Sequence, residues 1–230
     1  VPLAWLTVRT DIPFRRLWAI LTVLPLVIPS YIAGFMVVTA FGSNGIFSSL
    51  EGLPFGIVRM PSPYGFPGAM ITLTLLTYPY VLITVRSALW RIDPALEEAS
   101  RSLGRGPWGT FRRVTLPLLR PAIASGSILV ALYTLSDFGA VSILRYETFT
   151  WAIYLQYESA FDRNVAAALS LVVVALAIGV LLLDFLAARK STNWSPAGTT
   201  RPAAAGRLKL WRWPALAFCG IIVLLTLVIP

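Results

Sequence analysis

Histidine is absent from the 230 residues, and cysteine occurs once, at Cys219. The His/Cys ligand sets that hold zinc or copper are therefore excluded, and no disulfide can form within the chain. Charge is scarce too: 13% of residues are charged, about half the usual share of a soluble domain. Acids are the rarer sign, 10 against 19 lysines and arginines, for a net +9. The basic residues sit in short tracts between apolar runs. That is the pattern of cytoplasmic loops, not the broad basic face that nucleic acid requires. No G-x-x-x-x-G-K-[ST] phosphate loop, G-x-S-x-G or H-E-x-x-H occurs, so P-loop nucleotide binding and the commonest hydrolase signatures are missing.

What the chain has is apolar length. Apolar residues make up 57%, and the mean hydropathy is +0.76. A spanning helix needs about 20 mostly apolar residues. Four runs meet this: 17–41 and 66–85 without a charge, 121–144 with only Asp137, and 165–187 with only Asp184. A fifth run, 214–230, is cut short. The expected fold is an all-α polytopic membrane protein with four full spans and a truncated fifth. Prolines 25, 29 and 79 fall inside these runs, where each frees a backbone carbonyl and bends the helix.

Basic residues in the successive loops number 3 (9–16), 1 (42–65), 7 (86–120), 2 (145–164) and 6 (188–213). The alternation places 9–16, 86–120 and 188–213 in the cytoplasm and the other two loops outside. Residues 191–210, rich in Ser, Thr, Pro, Gly and Ala, read as a linker. The chain starts at Val1 with no basic n-region and stops at Pro230 inside an apolar run, so it is expected to be a fragment.

The 86–120 loop is patterned. Asp93 can cap a helix whose first residue is Pro94. Glu97 and Glu98 suit the positive end of that helix. Leu96, Ala99 and Leu103 share one face. Gly104 and Gly106-Pro107 stop it, and a second helix can start at Pro107 with Trp108, Phe111, Thr115 and Leu118 on one face. Such a hairpin can anchor in the interface or dock on a cytoplasmic partner.

Glu98-Ala99-Ser100, three residues, Gly104, nine residues, Val114, one residue, then Leu116-Pro117 resembles the EAA loop of binding-protein-dependent ABC importer permeases. The family pattern has Ala where this chain has Ser100 and Ile where it has Val114. The stretches 24–35, 78–89 and 135–163 and the basic linker resemble the ferric-iron branch, whose chains carry two such units. The resemblance implies a type I importer transmembrane fold in a bacterial inner membrane. Residues 1–187 would be most of the first unit, 188–213 the cytoplasmic inter-unit linker, and 214–230 the start of a second unit. It implies that Glu98 faces an ATPase subunit, that Gly104 makes the turn, and that Leu116-Pro117 leads back to the membrane. It also implies a separate solute-binding protein outside, lipid around the spans, and no cofactor or catalysis in this chain.

Two aspartates lie in apolar runs, where ionisable groups are costly. Asp184 is expected at the interface near Arg189-Lys190. Asp137 is expected ~24 Å along its helix at 1.5 Å per residue, facing the interior and either paired or lining a path. The two differ in depth by ~20 Å on the same rise, which excludes a proteolytic dyad. Outside, Tyr146, Glu147, Tyr154, Tyr157, Glu158 and Asp162 offer oxygen donors, although the tyrosines and Trp151 also suit an aromatic belt. Thiamine, sulfate or polyamine import, and ion-driven secondary transport, are the competing readings.

Overall fold

A computed structural model describes residues 1–42, 62–158, 163–191 and 212–228, all of whose regular structure is helical. Most of the 42–65 loop, Asp162 and residues 192–211 of the linker lie outside the described residues. The elements are α1 (Pro2–Arg9), α2 (Arg15–Leu21), α3 (Ser30–Phe41), α4 (Phe66–Arg91), α5 (Pro94–Ser102), α6 (Pro107–Thr110), α7 (Leu116–Ser136), α8 (Gly139–Ile143), α9 (Phe149–Glu158), α10 (Arg163–Ser191) and α11 (Arg212–Val228). Three stretches are long and apolar enough to cross a membrane: Phe66–Arg91, Pro107–Ser136 and Arg163–Leu186. The broken pair Arg15–Val27 and Ser30–Phe41 would make a fourth.

Four boundaries differ from those expected, each for a physical reason. The 17–41 run is not one helix. It breaks into α2, a tight turn at Leu24–Val27 and α3, because Pro25 and Pro29 each remove a donor, and Pro29 is extended (φ −61°, ψ 139°). Helix α4 runs past Val85 to Arg91. Charge marks the edge of an apolar run, not the end of a helix, and Asp93-Pro94 supplies the actual stop. The 121–144 span is shifted: the helical path starts at Pro107 and ends at Ser136. Asp137 therefore lies one residue beyond the end of α7. Finally, the expected outer loop 145–164 contains a helix, α9.

The chain divides into two compact units. The first comprises Val1–Val23, Pro79–Val130 and Val180–Gly220. Here Gly126 lets α7 approach α4: a Cβ on it would sit 2.7 Å from the Val81 Cα. Small residues at such crossings let helix backbones meet without side chains between them. Arg212 at the start of α11 pairs with Asp11, beyond α1.

The second unit comprises Leu24–Tyr78, Ala131–Gly179 and Ile221–Pro230. Its core joins Val37 of α3, Ala69 and Leu73 of α4, Ala140 and Val141 of α8, and Leu144. Helices α3 and α8 touch backbone to backbone. A Cβ at Gly139 would meet the Tyr31 nitrogen at 2.9 Å, and one at Gly34 the Ala140 Cα at 3.2 Å. Two sequence stretches a hundred residues apart thus meet through glycines at the approach. Beside them Phe138, Trp151 and Tyr154 form an aromatic cluster with ring centroids 5.0–6.1 Å apart.

Gly139→Val should lower thermal stability in detergent by about 1–3 kcal/mol, through overpacking against fixed backbone. Gly179→Ala, with open space around it on α10, should be neutral or stabilising by up to about 1 kcal/mol. Equal effects from the two substitutions would contradict the close α3–α8 approach.

Candidate coupling site

The hairpin α5–α6 is built by local chemistry. The Asp93 carboxylate accepts from the Ala95 N–H at 2.9 Å and caps α5, with Pro94 in the first position. Gly104 ends it at φ +80°. The Gly104 N–H donates to the Arg101 carbonyl and the Arg105 N–H to the Ser100 carbonyl, which closes the helix end with its last carbonyls satisfied. Gly106 then enters α6 through Pro107. A wide turn over Phe111–Thr115, with the Leu116 N–H reaching back to the Phe111 carbonyl, carries α6 into α7. It falls just before Pro117, which has no N–H to give, so the path continues as a helix through both Pro117 and Pro121.

The two arms are tied by hydroxyls. Ser100 and Thr110, both buried, are hydrogen-bonded at 3.1 Å. That contact accounts for the serine where the resemblance has alanine: its hydroxyl has a partner. The Thr115 hydroxyl donates to Glu97 Oε1 at 3.0 Å. The same oxygen lies 3.8 Å from Arg9 Nη2, and Arg9 also donates to the Ile92 carbonyl at 2.9 Å. Arg9 is 5% exposed and Glu97 13%. A cavity of about 200 Å³ lies between Trp5 and Arg9 on one side and Glu98, Arg101, Pro107 and Phe111 on the other.

The apolar stripe faces outward. Leu96, Ala99, Leu103 and Trp108 are exposed, Leu103 at 80% and Trp108 at 72%. Glu98 is exposed beside them. The side of α5 turned to the protein is instead Glu97 and Ser100. Of the second expected face, Thr115 is buried, Phe111 is half-buried and stacks on Trp108 (centroids 5.6 Å), and Leu118 is half-buried. Val114, Leu116 and Pro117 are half-buried at the wide turn and the start of α7.

The structure thus brings Glu98, Ala99, Ser100, Gly104, Val114, Leu116 and Pro117 into one hairpin. Asp137 belongs to the second unit. It is buried at 7%. Its Oδ1 accepts from the Ala140 N–H at 3.0 Å, and its carbonyl accepts from the Thr150 hydroxyl at 2.8 Å. These contacts cap α8 and tie it to α9. Asp184 is half-buried on α10. The sequence reading missed Arg9, Thr110 and the tie between Thr115 and Glu97. Arg9 and Glu97 are too far apart in sequence for any spacing rule to pair them.

Helices of this length and apolarity, joined by a capped hairpin with exposed apolar side chains, are those of a multi-pass helical membrane protein. Residues 1–193 match the family of binding-protein-dependent transport system inner membrane components, and the chain belongs to that family. It is similar to the Fe(3+)-transport system permease protein FbpB 2 of Haemophilus influenzae, at 38% identity over 180 residues covering 78% of this chain and 32% of that one. The chain therefore spans about a third of that relative's length. It is also similar to the molybdenum transport system permease protein ModB of Escherichia coli K12, at 33% over 80% of this chain and 82% of that one. The sulfate transport system permease protein CysW of Synechocystis is 32% identical over 78% and 65% of the two chains.

Gly104→Val should destabilise the hairpin by about 1–2 kcal/mol, since a β-branched residue resists positive φ. Gly106→Ala, at φ −66° with open space, should be tolerated. Amide hydrogen exchange across α5 distinguishes them: faster exchange in Gly104→Val alone is expected, and equal exchange in both would refute the turn geometry.

Proposed function

We propose that this chain is part of a permease that imports ferric iron, driven by ATP hydrolysis in a separate cytoplasmic subunit that grips the α5–α6 hairpin. The observation that carries the proposal is the outward-turned face of Leu96, Ala99, Leu103 and Trp108 with Glu98 at its edge. An apolar face of this kind with a charge at its rim suits helix-in-groove docking. The hairpin is rooted covalently in α4 and α7, so displacing it moves two long helices. Closure of the ATPase subunits would rock the spans outward, a solute-binding protein outside would deliver its cargo, and hydrolysis would reset the inward state. Iron as substrate is supported by the resemblance of 24–35, 78–89 and 135–163 and by the ferric-iron relative. An oxyanion is the second reading, supported by the molybdenum relative, which is matched over most of its own length.

In this proposal Asp137 shapes the α8 turn and does not contact cargo. Asp137→Asn, which keeps the acceptor oxygen, should leave uptake unchanged. Lost uptake in a stable Asp137→Asn protein would place the carboxylate on the path instead.

The function is tested by radioactive uptake in cells carrying the intact gene and its partners, with membrane insertion checked. Ferric iron should accumulate, and Glu98→Lys should reduce uptake roughly tenfold or more by setting the wrong charge against the partner. Molybdate or sulfate uptake without iron uptake would replace the substrate and keep the permease. Full uptake by Glu98→Lys would overturn the coupling role of that residue.

A further inference from the structure

Glu97 does not belong to the displayed face of the hairpin. Its carboxylate turns inward and joins three segments: its own helix, the wide turn before α7 through Thr115, and α1 through Arg9. Arg9 is the last residue of α1 and is 5% exposed. It donates to the Ile92 carbonyl, one residue beyond the end of α4, where helix carbonyls have lost their own donors and favour a cation.

The pairing of the Arg9 guanidinium is incomplete. Arg9 to Glu97 is 3.8 Å, against about 2.7–2.9 Å for a close charged hydrogen bond. Arg9 Nε is buried without a hydrogen-bond partner among the described residues. A buried charge is costly unless fully paired. A cavity of about 200 Å³ is lined by Trp5 and Arg9 together with residues of α5 and α6. Arg9 thus joins the end of α1 to the end of α4 through the Ile92 carbonyl and to α5 through Glu97.

We propose that Arg9 is a positioning residue that makes α1 a third root of the coupling hairpin, so that ATP-driven displacement of the hairpin carries α1 with it. This rests on the coupling role proposed above and adds a mechanical output through a helix that the hairpin is not continuous with. Arg9 touches neither cargo nor nucleotide. It acts through Glu97 and the Ile92 carbonyl.

The test uses the intact transporter with its ATPase and solute-binding partners in proteoliposomes, measuring uptake and ATP hydrolysis together. Arg9→Gln should go on hydrolysing ATP while cargo moved per ATP falls about tenfold, within the usual range of coupling energies. Arg9→Lys, which keeps the charge and one donor direction, should recover part of the ratio. A role in folding alone would lower both rates by the same factor through loss of protein, leaving the ratio unchanged, and that result would overturn the proposal. Should Arg9→Gln fail to insert, spin labels at Val8→Cys and Ser102→Cys in a Cys219→Ser background decide with Arg9 present. A separation that stays fixed when ATP is added, while a label pair from Ser102 to the ATPase subunit changes, supports the tie. A separation that changes with ATP refutes it. A wild-type complex without ATP-driven uptake would instead overturn the coupling role on which this rests.

Discussion

One carboxylate oxygen holds the hairpin in place. Glu97 Oε1 accepts from Thr115 and faces Arg9, so the orientation of α5 is fixed from two directions before any partner arrives. That orientation decides everything on the outer side of the helix. With Glu97 and Ser100 turned in, Leu96, Ala99 and Leu103 centre about 100° round the helix from them and are exposed. Removing one partner of a buried pair typically costs about 3–5 kcal/mol, because the other charge is left unpaired. The outward turn of Leu96, Ala99 and Leu103 is thus accompanied by polar contacts on the other side of α5.

Proline sets the second constraint. In lipid a backbone must satisfy its own donors and acceptors, and each proline withdraws a donor. The chain meets this differently at each place. Pro25 and Pro29 break a run into separate pieces. Pro79 is carried within α4 and Pro121 within α7. Pro94 and Pro107 start helices, where no donor is needed. Glycine completes the pattern by permitting the approaches at Gly34, Gly126 and Gly139, which are packing sites, and the turn at Gly104, which is a conformational one.

The hairpin was legible because its signals are local. Asp93-Pro94 and Gly104 act within a few residues of themselves, and their chemistry has few alternatives. The long helices were legible as apolar runs, but their ends were not. Hydropathy reports where a helix meets water, whereas caps and prolines report where it stops, and the two differ at Val85, Ser136 and Phe149. Periodicity placed Leu96, Ala99 and Leu103 on a common face without saying which way that face turns. The contacts of Glu97 with Arg9 and Thr115, and of Ser100 with Thr110, show the direction. Asp137 has a local role that spacing did not show: it follows the end of one helix and accepts from the first turn of the next.

The coupling role requires that the hairpin's exposed face meet a protein and not the bilayer. A photo-crosslinking residue at Leu103, 80% exposed on the turn, in the intact membrane-embedded transporter tests this directly. An adduct with the ATPase subunit, changing in yield when nucleotide is added, is the result predicted. An adduct with lipid alone, indifferent to nucleotide, would make the hairpin an interfacial anchor and contradict the account.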